Sequence, residues 1–169
     1  TIGVIGQKLA NDLVTWADVI LTGGTCLAPD NTKMLSADFI RPDQQKILQV
    51  DIEGRNAGWT YPVAMGITSD AGLALEGIAS AMKGMKLKAD PKKRTEEIAA
   101  KKKEYKTFDE DPMHSDDTPI APERVVKELN AVMKEEDLLF LDGGNNRMWF
   151  AHHVMSKKAR QVMAPGGAA

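Results

Sequence analysis

Three apolar segments in the first half of the chain have the pattern of buried β-strands. They cover residues 17–24 (ADVILTGG), 46–53 (KILQVDIE) and 62–68 (PVAMGIT), and Gly or Ser stands at or next to the end of each. Their hydrophobicity is continuous rather than alternating, which is typical of parallel strands covered on both faces of the sheet. The pattern therefore predicts a parallel sheet within residues 1–82.

Helical periodicity alternates with these strands. Residues 7–16 carry Leu9, Leu13 and Trp16 at the spacing i, i+4, i+7. Asp70 suits a helix N-cap, and the same kind of spacing follows it in Leu75, Ile78, Ala79 and Met82. Alternating strands and helices predict an α/β fold of Rossmann-like, doubly wound pieces.

The composition changes at residue 83, where lysines and acids replace the apolar pattern until residue 117. Glu97 and Lys101 are spaced for an i, i+4 pair on an exposed helix, so this segment is interpreted as a charged helical linker. Beyond it, Pro122 suits the first position of a helix whose apolar face includes Val126 and Met133. We predict a first domain at 1–82, a linker at 83–117 and a second domain at 118–169.

Composition narrows the classes of partner. The chain has 22 Lys plus Arg against 24 Asp plus Glu, and its net charge of −2 gives no reason to expect nucleic acid or an anionic membrane surface. Its apolar runs are far shorter than the roughly 20 residues that cross a bilayer. The single cysteine, Cys26, cannot form an internal disulfide, which favours the cytoplasm.

A polar corner in the second predicted domain is the strongest candidate for chemistry. The apolar run 138–141 stops at Asp142-Gly143-Gly144-Asn145-Asn146, and a helix is predicted over 146–155. Such a junction places N–H groups at the carboxyl edge of a sheet, where open α/β folds bind ligands. Glycine lets a phosphate approach the backbone, and asparagine can donate a side-chain amide. The corner thus suits a diphosphate, although a Gly-Gly junction is also common as a tight turn.

These segments resemble those of a known enzyme family. Residues 119–154 (PIAPERVVKELNAVMKEEDLLFLDGGNNRMWFAHHV) are similar to the opening of the diphosphate-binding domain in thiamine-diphosphate-dependent enzymes of the acetolactate synthase and 2-oxoacid decarboxylase superfamily. ADVILTGG, KILQVDIE and GITSDAGLALEGI likewise resemble the later half of that superfamily's central domain, in the same order. The resemblance covers nearly the whole chain except the linker.

The resemblance implies a set of cofactor-binding residues. Those implied to touch the diphosphate of thiamine diphosphate are Gly143, Gly144, Asn145 and Asn146, with Met148 and Trp149 packed beneath. Gly166 and Gly167 belong to a glycine-rich segment implied to lie near the thiazolium ring. We expect Asp142 to turn away from the phosphates and cap the following helix. A side chain at Gly144 should collide with the phosphate or twist the turn.

The resemblance also implies parts that this chain lacks. Family members hold Mg²⁺ through a Gly-Asp-Gly segment and activate the cofactor with a glutamate from another domain, and neither is present here. We therefore expect an internal fragment that is inactive alone and contributes no catalytic and no metal-binding residue. The intact parent is expected to be a homodimer or homotetramer that decarboxylates, joins or cleaves a 2-oxo acid or related acyl donor.

Other conspicuous residues have structural interpretations. Neighbouring histidines on a helix point about 100° apart, and no carboxylate stands four residues from His152 or His153, so surface or interface positions are favoured over a metal site. Residues 23–25 with Asp51 and Glu53 follow two strands and could line a crevice for FAD or an ADP-like group. Residues 23–34 depart from the arginine-bearing version associated with flavin, so ordinary turns and caps are favoured.

A different class of function stays open at this point. A stand-alone α/β nucleotide-binding module, or a purely structural domain, would have the same strand and helix pattern without catalysis. A start codon at Thr1 would favour such a module, whereas a parent gene with an upstream glutamate-bearing domain and a downstream Gly-Asp-Gly segment would favour the enzyme fragment.

Overall fold

The computed structural model describes residues 1–86 and 90–164, which form two compact units. One unit comprises Ile2–Ala100, and the other comprises Lys101–Ala169 together with Thr1. Gly166 and Gly167, two of the predicted site residues, lie outside the described residues. Within the described part, no helix is both long and apolar enough to cross a lipid bilayer.

The first unit is built on a three-stranded parallel sheet in the order β1-β2-β3, with β1 at Val19–Gly23, β2 at Lys46–Asp51 and β3 at Met65–Thr68. Register pairs Leu21 with Leu48 and Leu48 with Met65, so these three side chains share one face. Each strand falls inside its predicted segment, and the parallel arrangement is confirmed.

One face of this sheet is well covered. Its core consists of Leu27, Phe39, Ile40 and Ile47, each at most 3% exposed. The preceding helix, α1 at Lys8–Trp16, adds Val14 to this packing. Gln45 fixes the end of the helix, because its side-chain amino group donates to the carbonyls of Val14 and Ala17 at 2.8 Å each.

The opposite face is covered only in part: Val50 on the central strand is 2% exposed, whereas other apolar residues of this face are open to solvent. Val19, Leu21 and Met65 are 54%, 42% and 55% exposed. The helix α2 at Ala71–Met82 begins at Asp70, whose carboxylate accepts from the Leu73 N–H at 3.1 Å as an N-cap. No residue of α2 is buried, although its periodicity predicted an apolar face. A strand's hydrophobicity indicates which residues avoid water, but it cannot identify what covers them.

The charged segment contains one exposed helix, α3 at Pro91–Glu104, with no buried residue. Its ion pairs join Arg94 to Glu97 at 3.1 Å and Lys101 to Glu104 at 2.7 Å. The boundary between the two compact units falls inside this helix, between residues 100 and 101. The domain limits at 82 and 118 stay a prediction.

The second unit contains α4 at Pro122–Val132, β4 at Leu139–Phe140, α5 at Asn145–His153 and β5 at Val162–Met163. Pro122 opens α4 as predicted. Val126 and Met133 are buried at 0% and 4% exposure, and α4 packs against α5 and a 3-10 turn at Asp111–His114. Strands β4 and β5 pair in parallel in a sheet separate from β1-β2-β3, so the predicted α/β architecture with two parallel sheets is confirmed.

Candidate functional site

The corner, residues 142–146, lies where the second sheet passes into helix α5. Strand β4 ends at Phe140, and the Leu141 N–H donates to the Met163 carbonyl at 2.8 Å. Because β4 and β5 are parallel, both carboxyl ends reach the same edge. The corner therefore shares its edge with the end of β5, the strand that precedes Gly166 and Gly167 in the sequence.

Gly144 is the N-cap of α5 and has a backbone conformation that demands glycine. Its φ of +96° and ψ of −172° fall in a region that other residues essentially do not adopt. A Cβ built there would meet only the Asn146 Oδ1, at 3.7 Å, so the space in front of the backbone is open. The tight-turn role predicted for a Gly-Gly junction is thus present, and it leaves room for an anion.

Asp142 does not cap the helix, which corrects the prediction. Its Oδ1 instead accepts a hydrogen bond from the N–H of its neighbour Gly143 at 2.7 Å. The N-cap of α5 is Gly144, and a side chain caps a helix from the N-cap position by accepting from an N–H two or three residues further on. Asp142 lies two residues before that position. The carboxylate therefore engages one of the amides predicted to bind phosphate.

Asn145 and Asn146 occupy the first turn of α5, and both are exposed. The Asn146 Oδ1 accepts from the Arg147 N–H at 2.6 Å, which leaves its amino group as the part that can donate to a ligand. The N–H groups at the start of a helix have no intrahelical acceptor. The corner thus combines backbone and side-chain donors in solvent.

Two residues implied to support the cofactor are less enclosed than expected. Met148 and Trp149 are 43% and 39% exposed, so they do not form a buried layer beneath the corner. The Trp149 ring instead stacks on His153, with ring centroids 6.3 Å apart and planes 7° from parallel.

The carboxyl edge of the first sheet, formed by residues 23–25 and 51–53, is different. Asp51 is 5% exposed, and its Oδ1 accepts from the Glu53 N–H at 2.9 Å and the Asn56 amide at 3.1 Å. Hydrogen bonds from the Arg55 side chain and backbone lower the pKa of Glu53 below its usual value. Gly24 donates its N–H to the Val50 carbonyl at 2.9 Å. These residues act as turns and caps within the protein.

The structure also brings together three residues whose association the sequence did not reveal. His152 and His153, at the end of α5, meet Glu110, with one ligand atom of each within 4.8 Å of the others. Burial lowers the pKa of His153, as does the neighbouring His152, while Glu110 and Glu123 act in the opposite direction. Glu110 precedes the helix by 35 residues in the chain, so no local spacing could have identified it.

Two kinds of comparison, with a family of domains and with individual proteins, show what this chain is similar to. Residues 1–78 match the family described as "Thiamine pyrophosphate enzyme, central domain". The chain is 31% identical over 172 residues to a probable acetolactate synthase large subunit of Methanocaldococcus jannaschii, covering 98% of this chain and 28% of that protein. It is 27% identical over 180 residues to the sulfoacetaldehyde acetyltransferase of Roseovarius nubinhibens, covering 98% and 30%.

A plant protein matches over the same extent. The chain is 27% identical over 172 residues to acetolactate synthase 2, chloroplastic, of Nicotiana tabacum, covering 98% of this chain and 24% of the tobacco protein. The chain therefore spans less than a third of the length of these curated relatives, and the matches extend through the corner as well as through the first sheet.

Proposed function

We propose that the second unit of this chain holds the diphosphate of thiamine diphosphate at the corner. The chain belongs to the thiamine pyrophosphate enzyme family, because its residues 1–78 match the central domain of that family. The observation that carries this proposal is the junction of β4 and α5. There a glycine N-cap with open space in front of it meets exposed amide donors at the carboxyl edge of a parallel sheet.

The residues of the corner have separate roles in this proposal. Gly144 supplies a backbone that a phosphate can approach, and Asn145 and Asn146 supply amides from the first turn of α5. The Gly143 N–H becomes available once the Asp142 carboxylate releases it. When bound, the cofactor supplies the electron sink for the reaction, and these residues only position it.

The whole protein's reaction is inferred from its relatives. We assign it a 2-oxo acid or related acyl donor, since the relatives are named for acetolactate synthesis and acetyl transfer. We do not assign Mg²⁺ to the corner, because the resembling family holds Mg²⁺ through a Gly-Asp-Gly segment and this sequence contains none. We further propose that the whole protein is a cytoplasmic homodimer or homotetramer. At the edge formed by 23–25 and 51–53, the side chains of Asp51 and Glu53 already make hydrogen bonds within the protein, which argues against binding of FAD or an ADP-like group there.

Residue-resolved titration tests the proposal. Thiamine diphosphate is added to the ¹⁵N-labelled 169-residue chain while the backbone amide signals are followed by NMR. We expect concentration-dependent shifts in residues 143–146 and none at Gly24 or Asp51. Asn146→Ala removes one donor of several and should weaken binding about fivefold, or about 1 kcal/mol.

Thiamine without phosphates is the matched control ligand, because it keeps both rings and loses the anion. It should leave the corner amides unshifted at the same concentration. Equal shifts with thiamine and thiamine diphosphate, or shifts confined to residues 23–25 and 51–53, would show that the corner is only a turn.

A further inference from the structure

The cluster of Glu110, His152 and His153 lies at the end of α5 opposite the corner. Glu110 precedes the 3-10 turn at Asp111–His114, and the two histidines are the last residues of the helix. The expectation that adjacent helical histidines diverge does not exclude a shared site. Their ring centroids lie 4.4 Å apart with the planes at 65°, and the missing carboxylate comes from a distant part of the chain.

Two buried atoms of this cluster lack a hydrogen-bond partner among the described residues. They are the Nδ1 of His153, a residue only 3% exposed, and the Oε2 of Glu110. A buried polar atom without a hydrogen bond is destabilising, so each of these atoms requires an explanation. They stand 3.8 Å apart, beyond hydrogen-bond length. Two ligands of one tetrahedral zinc ion, each about 2.1 Å from the metal, lie about 3.4 Å apart.

The surroundings hold His153 in place. Asn130 on α4 donates its side-chain amide to the His153 carbonyl at 3.0 Å and accepts from the Met155 N–H at 2.9 Å. The Trp149 ring stacks on the imidazole. A cavity of about 250 Å³, lined in part by His153, Met113 and Lys127, gives access to this region.

We propose that Glu110, His152 and His153 bind a divalent transition-metal ion, with Zn²⁺ as the best match. Two imidazoles and one carboxylate are a common zinc ligand set, which leaves a fourth position for water or another ligand. Mg²⁺ is a poor match because it prefers an octahedron of oxygen ligands. The bound ion would join the segment before α4 to the C-terminal end of α5.

Metal titration of the purified 169-residue chain tests this site. After treatment with EDTA and its removal, the chain is titrated with Zn²⁺ by calorimetry and with Co²⁺ by visible absorption. We expect one Zn²⁺ per chain, tetrahedral Co²⁺ bands that Zn²⁺ abolishes, and no competition from millimolar Mg²⁺. Glu110→Gln and His152→Ala should each weaken Zn²⁺ binding on the order of tenfold or more.

The chain provides its own matched controls. His114 is the remaining histidine of the chain's three and lies outside the cluster, so His114→Ala should bind Zn²⁺ like the wild type. Cys26→Ser removes the only thiol and should also leave binding unchanged. Glu110→Gln preserves side-chain shape and decides the question even if a variant of the buried His153 does not fold. Failure to bind one Zn²⁺, or retention of wild-type affinity in Glu110→Gln, would overturn the proposal.

Discussion

The carboxyl edges of the two parallel sheets carry similar residue types and use them differently. At the first edge, Asp51 is buried with two hydrogen bonds, and Glu53 is bound to Arg55 through its side chain and backbone. At the second edge, Asp142 and Asn146 are exposed, and each accepts one bond from the next residue's N–H. A polar residue after a strand is therefore available to a ligand only to the extent that the fold leaves its polar atoms exposed and without a hydrogen bond.

The largest effect should come from Asp51→Ala at the first edge. The substitution removes the acceptor of the Glu53 N–H and the Asn56 amide, so we expect the free energy of unfolding to fall by about 3 kcal/mol. Urea denaturation followed by circular dichroism measures it. Asp142→Ala is the matched control at the second edge, and its effect should stay within about 0.5 kcal/mol. Equal losses in the two variants would contradict the comparison.

Gly144→Ala should have the next largest effect, about 2 kcal/mol of lost stability, because its φ of +96° and ψ of −172° are strained for any other residue. Gly24, with φ +64°, is the control at the first edge. The Cβ of Gly24→Ala would meet nothing within 4 Å, so backbone strain alone decides its cost. A smaller loss for Gly144→Ala than for Gly24→Ala would be unexpected. Since Gly144 serves the turn itself, its substitution cannot isolate a ligand effect.

Asp142→Asn should strengthen the binding of a diphosphate at the corner. Removing one negative charge about 4 Å from an anion in solvent is worth about 1 kcal/mol, or roughly a fivefold gain in affinity. Titration with inorganic diphosphate, followed through the amide signals of residues 143–146, measures the gain. Asp70→Asn, which alters a carboxylate in the first unit, should leave the affinity unchanged. Unchanged or weaker binding in Asp142→Asn would argue against an anion at the corner.

The smallest effect concerns the titration of Glu53. Its folded pKa is lowered, so its stabilising contribution is present above the unfolded carboxyl pKa of about 4.3 and is lost as pH falls through the lower folded value. NMR titration of the side-chain carboxyl should show the lowered pKa, and Arg55→Ala should return it toward the ordinary value. A pKa that does not change in Arg55→Ala would mean that Glu53 is not engaged as described.

The sequence predicted the parts of this fold that depend on local pattern. Strand positions, the Asp70 cap and Pro122 at the start of α4 follow from hydrophobic runs and terminal preferences. The exposure of Val19, Leu21 and Met65 could not be predicted from the sequence, because burial depends on what packs against that face of the sheet. The Glu110 cluster did not follow either, since it requires the tertiary contact of α4 with α5 and the turn at Asp111–His114.

Helix α5 has a polarity that both proposed ligands match. Its nine residues span about 13.5 Å, with partial positive charge at the Asn145 end and partial negative charge at the His153 end. An anion at the first end and a cation at the second would each be stabilised by the helix macrodipole. If binding at one end also orders the helix for binding at the other end, thermodynamic linkage requires the effect to be mutual. Bound Zn²⁺ would then raise the affinity for diphosphate, and bound diphosphate would raise the affinity for Zn²⁺ by the same factor.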